Sequence, residues 1–211
     1  MSDDPEDALN WLETTFYFQR ADGKPGNEAF EDARERVRNV LESLQERGFV
    51  EETAESGLTG TPMGQLASRY YLRLPTAERF RSIVDTEPDE RAVLRAVAQA
   101  EEFDSVSARG DERDAIEAIL GADTGSLDQG ERKILAILET SMDGDLPPEL
   151  RSDAWIITRN ALRMLAAARA FFDRYERPAG ANLCRRIEAR VESGVPPEAV
   201  GLTAIEGVGA G

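Results

Sequence analysis

The sequence predicts a mainly α-helical protein that contains a winged-helix domain with a small β-hairpin, followed by an all-α helical bundle built around one long helix. Three observations support this fold class. Apolar residues recur at helical spacing through most of the 211 residues. Strand-like segments are found only on either side of one short turn near residue 55. Between Pro148 and Pro178 the sequence contains neither glycine nor proline, so nothing interrupts a helix there.

Two helices are predicted before the turn. Residues 9–18 carry enough apolar side chains for a short amphipathic helix, which ends before the glycine- and proline-rich segment 22–26. A longer helix begins at Asn27, whose side chain can cap its first turn, and ends at Gly48. Its apolar residues, at helical spacing, are Phe30, Ala33, Val37, Val40, Leu41 and Leu44.

A β-hairpin and a third helix complete the N-terminal part. Residues 49–53 and 58–59 flank a short turn and are predicted to pair as the hairpin. Thr61 and Pro62, a helix cap and a first-turn proline, begin the next helix. Helices followed by a two-stranded wing are typical of a winged-helix domain, which we assign to residues 1–85.

The remaining helices form the bundle, which we assign to residues 86–195. Its long helix begins after Pro147 and runs to about Glu176, which is about 42 Å at 1.5 Å per residue. Pro178 and Gly180 are predicted to end it. Three amphipathic helices precede the long helix and one basic helix follows it, at residues 88–100, 112–120, 128–142 and 182–192.

The composition excludes several kinds of active site. The chain has no histidine and one cysteine, which excludes Ser-His triads, disulfides, and zinc sites built from imidazole or thiolate groups. Residues 23–25, Gly-Lys-Pro, lack the spacing and the hydroxyl residue of a phosphate-binding loop. Cys184 has no general base near it in the sequence, so a structural role is favoured over a reactive thiol. We therefore predict no catalytic and no metal-binding residue in this chain.

The sequence also predicts neither a membrane span nor a signal peptide. No run of about 20 apolar residues is present, and the N-terminus is acidic. A single cysteine is compatible with a reducing compartment. We therefore expect a cytoplasmic protein with no membrane partner.

The charges are skewed in type and in position. The chain has 41 acidic and 25 basic residues, and only two of the basic residues, Lys24 and Lys133, are lysines. Acidic surfaces rich in arginine are typical of high-salt cytoplasm, where the Debye length falls to about 3 Å at 1 M. The net charge of −16 is therefore a weak argument against nucleic-acid binding. Residues 147–192 hold nine arginines and six acidic residues, so this segment is positive within an acidic chain.

One face of the long helix combines an aromatic ring with positive charge. A tryptophan and three arginines recur at intervals of four residues: Arg151, Trp155, Arg159 and Arg163. The opposite face is apolar and consists of Leu150, Ala154, Ile157, Ala161, Leu165 and Ala168. An indole between guanidinium groups suits single-stranded nucleic acid, whose bases stack on the ring while arginines contact phosphates. Alternatively, Trp155 is a core residue and the arginines pair with Glu149, Asp153 and neighbouring acidic residues; taken alone, the pattern favours this second interpretation.

Two further segments are candidates for nucleic-acid contact. Residues 196–211 include Gly207 and Gly209 and have the pattern of the beginning of a helix-hairpin-helix, whose glycines let backbone amides approach a phosphate. A glycine-rich tail without fixed structure is the alternative. The helix over 62–72 occupies the position that enters a major groove in helix-turn-helix proteins. Its polar face is only weakly basic, so packing against another domain is favoured.

Four segments of the chain occur in an order that is found in one helicase family. They lie at residues 14–18, 61–77, 145–156 and 190–209; the second begins TPMGQLASRYYL, the third contains DL and AWI, and the fourth contains IEGVG. Together they resemble the C-terminal region of the archaeal superfamily-two (DEAD/DEAH-box type) DNA helicases of the Holliday-junction-migration and lagging-strand-unwinding family. The first two segments are similar to its winged helix, the third to its "ratchet" helix, and the fourth to the start of its helix-hairpin-helix.

The resemblance implies a 3′-to-5′ ATP-dependent helicase that acts at stalled replication forks, with two RecA-like motor domains before residue 1. Those domains would bind ATP and magnesium, so this chain is expected to hold no cofactor and to have no ATPase activity alone. Its implied partners are single-stranded or forked DNA and the motor domains of the same polypeptide. In the family the winged helix packs on the second motor domain, and the ratchet helix engages the bases of the single strand.

The resemblance also implies which residues contact DNA. The family's ratchet tryptophan matches Trp155, which reverses the preference for a core role. An arginine that the family places about two turns earlier falls on Pro148 here, so Arg151 is its nearest substitute. The predicted DNA-binding residues are Trp155, Arg151, Arg159, Arg163, Gly207 and Gly209.

Two other function classes remain open from the sequence. A winged-helix transcriptional regulator with an α-helical effector domain would bind duplex DNA and would dimerise, because operator half-sites are symmetric. A plain all-α interaction module would bind no nucleic acid at any salt concentration.

Overall fold

The computed structural model describes residues 28–53, 57–121 and 125–194. It confirms the predicted fold class: helices dominate, and one small antiparallel hairpin precedes a helical bundle. The predicted helix at 9–18 and the predicted helix-hairpin-helix segment lie outside the described residues. The elements are α1 (Glu28–Glu46), β1 (Val50–Thr53), β2 (Gly57–Gly60), α2 (Pro62–Tyr70), α3 (Leu74–Val84), α4 (Glu90–Ala98), α5 (Arg113–Leu120), α6 (Gln129–Asp143), α7 (Arg151–Arg174) and α8 (Pro178–Ser193).

The chain divides into two compact units, residues 1–68 and residues 69–211. This division falls before the boundary that the sequence predicts near Asp85. The reason is α3, which packs against α4 and α7 and so belongs to the second unit. From the sequence we predict no helix over Leu74–Val84, where the structure has one with Pro75 in its first turn.

The first unit is organised around the hairpin. Val50 pairs with Gly60 and Thr53 with Gly57, so the two strands pair as the sequence predicts. The hydroxyl of Thr61 accepts a hydrogen bond from the backbone N–H of Gly64 at 3.1 Å, which caps α2 as expected. The backbone N–H of Thr61 in turn donates to the carbonyl of Phe49 at 3.0 Å.

Gly64 allows the first turn of α2 to lie directly on this backbone. A Cβ at position 64 would stand 1.9 Å from the carbonyl oxygen of Phe49 and 2.9 Å from its carbonyl carbon. Because backbone atoms cannot move aside as a side chain can, we expect Gly64→Ala to lower the free energy of unfolding by about 1–3 kcal/mol. Thermal and urea denaturation of the purified chain measure this loss. Gly110→Ala is the matched control, since a Cβ there meets nothing within 4 Å; equal stability of the two variants would contradict the prediction.

The second unit is a helical bundle in which α6 and α7 provide most of the core. Residues 133–138 of α6 are buried without interruption, and α7 packs against α3, α4, α6 and α8. The ring of Phe171 on α7 meets the ring of Phe80 on α3 edge-to-face, with centroids 6.0 Å apart. The apolar face predicted for the long helix is confirmed, because all its members are buried: Leu150, Ala154, Ile157, Ala161, Leu165 and Ala168.

The ends of the long helix differ from the prediction. It begins as a 3₁₀ turn over Pro148–Leu150 and is α-helical from Arg151 to Arg174. The residue with a left-handed backbone after the helix is Glu176, whose φ is 58°, and not Gly180, which the sequence predicts to help end the helix. Pro178 begins α8 because proline suits a first turn. Gly180 lies inside α8, against the ring of Phe172. A Cβ at position 180 would stand 2.2 Å from Cδ1 of that ring, so only glycine allows this close approach.

Candidate nucleic-acid interface

Trp155 lies on the surface of the second unit. Its side chain is 73% exposed, and that of its neighbour Ile156 is 57% exposed. The interpretation of Trp155 as a core residue, which the pattern alone favoured, is therefore wrong. Each residue turns the helix by about 100°, so the burial of Ala154 and Ile157 against the bundle directs residues 155 and 156 outward.

A guanidinium group accompanies the exposed indole. The Cζ atom of Arg159 lies 6.0 Å from the centroid of the Trp155 ring, at the outer limit of a cation–π contact. Arg159 itself is exposed. The pair presents an aromatic face and a positive charge side by side, as stacking of a base and contact with a phosphate both require.

The other two arginines of this face are held by carbonyl groups. Arg151 donates from Nε to the carbonyl of Leu146 at 3.3 Å, and Arg163 donates from Nη1 to the carbonyl of Tyr70 at 2.9 Å. Among the residues that the structure describes, no carboxylate forms an ion pair with Arg151, Arg159 or Arg163. The alternative in which these arginines pair with Glu149 and Asp153 is therefore wrong, and their charges remain available to an anion. We call this face, Trp155, Ile156, Arg159 and Arg163 with Arg151 at its N-terminal end, the α7 ridge.

Beneath the N-terminal end of the α7 ridge lies a buried ionic cluster that the sequence analysis missed. Glu112 is fully buried and Lys133 is 1% exposed. The Lys133 ammonium donates to Glu112 Oε1 at 2.8 Å and to Asp153 Oδ2 at 2.5 Å. Arg109 covers the pair, because its Nη2 lies 2.6 Å from Glu112 Oε1. Asp153 is in the first turn of α7, so the cluster ties that turn to α6 and to the start of α5.

The cluster keeps its carboxylates ionised. Burial by itself raises the pKa of Glu112, but hydrogen bonds from Lys133 and Arg109 outweigh that effect and hold the pKa below its ordinary value. The hydrogen bond from Lys133 lowers the pKa of Asp153 in the same way. Glu112 raises the pKa of the Arg109 guanidinium through their hydrogen bond. These shifts keep Glu112, Asp153 and Arg109 charged at neutral pH.

A feature of the sequence could have indicated this cluster. Lys133 is one of two lysines in a chain that otherwise uses arginine, and it stands in an apolar stretch of α6. A compact ammonium directs three protons tetrahedrally, whereas the donors of a guanidinium are confined to one plane. Lys133 has three such acceptors, since the carbonyl of Ser107 lies 3.4 Å from Nζ.

The remaining predicted site residues do not add to the α7 ridge. Gly207 and Gly209 lie outside the described residues. Cys184 is buried, and burial raises the pKa of its thiol to about 12, so it is a packing residue and not a nucleophile. Each helix in the described ranges is too short or too polar to cross a bilayer.

Comparison with known proteins shows one family and several long relatives. The Sec63 Brl domain family matches residues 60–198. "Activating signal cointegrator 1 complex subunit 3" is 26% identical over 184 residues in Homo sapiens, covering 77% of this chain and 8% of that protein. In Gallus gallus the same protein is 26% identical over 216 residues, covering 91% of this chain and 10% of the relative.

A plant relative carries a helicase name. "DExH-box ATP-dependent RNA helicase DExH12" of Arabidopsis thaliana is 26% identical over 124 residues, covering 54% of this chain and 6% of that protein. The chain thus spans a tenth or less of the length of these curated relatives. They support the resemblance to a helicase C-terminal region but not its archaeal, DNA-specific form.

Proposed function

The chain belongs to the Sec63 Brl domain family, and from this premise we propose that it is the nucleic-acid-binding C-terminal part of a helicase. The α7 ridge contacts a single strand. Bases stack on Trp155, and the guanidinium groups of Arg159 and Arg163 contact the phosphates or stack themselves.

The observation that carries this proposal is the exposure of Trp155 beside unpaired arginines. A tryptophan that is 73% exposed contributes little to the core. With the exposed Ile156 it forms an apolar patch beside arginines, and such patches are typical of binding surfaces. The chain as a whole is strongly acidic, so the arginines without a carboxylate partner on α7 form a local positive site, which complements a polyanion. Single-stranded nucleic acid combines the required negative charge with flat apolar rings.

The finer assignment follows the resemblance to fork-repair helicases. The strand is single-stranded or forked DNA, and motor domains of the same polypeptide supply ATP hydrolysis, with ATP and magnesium bound there. The parent enzyme moves 3′ to 5′, and α7 holds the strand between steps. The relatives named as RNA helicases make RNA the competing substrate.

Titration of the chain with oligonucleotides tests the proposal. In a Trp11→Phe background Trp155 is the only tryptophan, so its fluorescence reports stacking directly. We expect single-stranded DNA to quench this fluorescence and duplex DNA of the same sequence to quench it less. Competition with single-stranded RNA then shows which of the two single strands, DNA or RNA, binds more tightly. The slope of log K against log salt should be about −0.7 for each phosphate contacted.

The same titration separates the alternatives. A chain that prefers duplex DNA and sediments as a dimer would be the transcriptional regulator instead. A chain whose Trp155 fluorescence is insensitive to every oligonucleotide at low salt would contradict nucleic-acid binding altogether. Arg159→Gln serves as an internal check, because losing one phosphate contact should reduce the salt slope by about 0.7.

A further inference from the structure

We propose that Tyr71 is a second base-stacking platform on the strand path that begins at Trp155. The inference rests on the proposed function and extends it beyond α7. It gives the second unit two aromatic platforms, joined by the arginines of the α7 ridge.

Neither the backbone nor the packing accounts for a tyrosine at position 71. The residue directly follows α2 and has a left-handed φ of 52°. Helices commonly end on a residue in this conformation, and it is usually glycine, because a Cβ is unfavourable there. The Tyr71 side chain is 86% exposed, more than any other large hydrophobic residue in the described part of the chain. A bulky ring therefore occupies a strained backbone position although it gains no stability from burial. Strained positions of this kind are typical of functional residues.

A hydrogen bond attaches this turn to the α7 ridge. Nη1 of Arg163 donates to the carbonyl of Tyr70, the residue whose peptide bond leads into Tyr71, at 2.9 Å. Arg163 lies eight residues after Trp155 on the same helix, which is about 12 Å along its axis. Tyr71 is thus held at the C-terminal side of the ridge, while Trp155 lies towards its N-terminal end.

The charges around Tyr71 suit a strand that continues past Arg163. Arg69 is exposed, its Cζ lies 5.9 Å from the Tyr70 ring, and no ion pair to it is found within the described residues. Arg73, by contrast, is already paired with Asp104. Exposed aromatic rings that alternate with unpaired arginines match the alternation of bases and phosphates in a single strand. The ligand that fits this path is therefore single-stranded DNA.

Binding of oligothymidylates of two lengths tests the inference. We compare the chain with Tyr71→Gly, Tyr71→Phe and Trp155→Ala, using oligonucleotides of about 4 and about 16 nucleotides, the range of footprints of single-strand-binding folds. Tyr71→Gly should weaken binding of the longer strand roughly fivefold or more. It should leave the short strand on Trp155 unaffected. Tyr71→Phe should retain the affinity, because a phenyl ring still stacks.

Stability measurements exclude a merely structural effect. Glycine accepts the left-handed backbone, so Tyr71→Gly should not lower the melting temperature. Tyr71→Asn is the second variant, because asparagine also tolerates this conformation. If one of the two were to unfold, the other would still report the loss of the ring.

The outcomes distinguish this inference from the proposed function. Unchanged binding by both Tyr71→Gly and Tyr71→Asn, with weak binding by Trp155→Ala, would overturn the Tyr71 platform and leave the proposed function intact. Equal weakening on short and long strands would also overturn it, because Tyr71 would then not be a separate platform. Unchanged binding by Trp155→Ala would contradict the proposed function itself.

Discussion

Replacing Lys133 with methionine should lower the free energy of unfolding by about 3–5 kcal/mol at pH 7. The reason is Glu112, whose carboxylate is fully buried and would lose the ammonium 2.8 Å from its Oε1. Methionine fills a similar volume, so little of the loss would come from a cavity. Urea denaturation at pH 7 measures the difference.

The loss in free energy of unfolding caused by Lys133→Met should shrink on acidification. In the wild-type chain the pKa values of Glu112 and Asp153 are lowered, so their contribution to stability is present above the unfolded-state pKa values, about 4.3 and 3.9. That contribution is lost as the pH falls further. Without Lys133 the pKa of Glu112 would be higher than in the wild-type chain, because only Arg109 would still oppose the effect of burial. The stability difference between the two chains therefore grows as the pH rises above about 4. The two stability curves should therefore converge between pH 7 and about pH 4.

Two further variants test whether the loss comes from the buried charge of Glu112. Lys133→Met combined with Glu112→Gln removes the buried charge that Arg109 alone would compensate in the single variant. It should recover much of the stability, because Asp153 is partly exposed and can be solvated. Asp85→Asn is the control for an ion pair at the surface. Its carboxylate pairs with Arg81 in solvent, so the change should cost less than about 1 kcal/mol. A Lys133→Met loss that is equally small, or that does not vary with pH, would show that the cluster contributes no buried electrostatic stability.

Trp155→Ala should weaken binding of a single strand by a factor of about 5 to 150, since one base–aromatic stack contributes about 1–3 kcal/mol. The free energy of unfolding should change by less than about 0.5 kcal/mol, because the ring is exposed and alanine favours the helix. Fluorescence anisotropy of a labelled oligonucleotide measures the first quantity, and thermal denaturation measures the second.

Salt separates the role of the ring from that of the charges. Stacking persists at high salt, whereas phosphate contacts weaken steeply. The effect of Trp155→Ala should therefore be similar at low salt and at about 1 M, while the effect of Arg159→Gln should fade. Ile156→Ala is the matched control, since Ile156 is the exposed neighbour without an aromatic ring. If Ile156→Ala weakened binding as much as Trp155→Ala, a general apolar contact and not base stacking would explain the interface.

The local structure of this protein could be predicted from its residues alone. Strand alternation around a turn predicted the hairpin, and apolar periodicity predicted α7 together with the face that it buries, because both depend on residues close in the chain. The capping residue Thr61 was identified for the same reason. Proline was the source of the local errors: at Pro75 and Pro178 it begins a helix, and the sequence does not distinguish a first-turn proline from one that ends a helix.

The packing of the helices determines which side chains meet and which remain exposed to water. Helical periodicity defines the faces of α7 but not how far the neighbouring helices extend over them, so Trp155 could be core or surface until α3, α4, α6 and α8 were in place. Glu112 and Lys133 are 21 residues apart, and Tyr70 and Arg163 are 93 residues apart. Contacts over such separations depend on the packing of whole helices, whereas the hydrogen bonds and turns that the sequence predicts form between near neighbours.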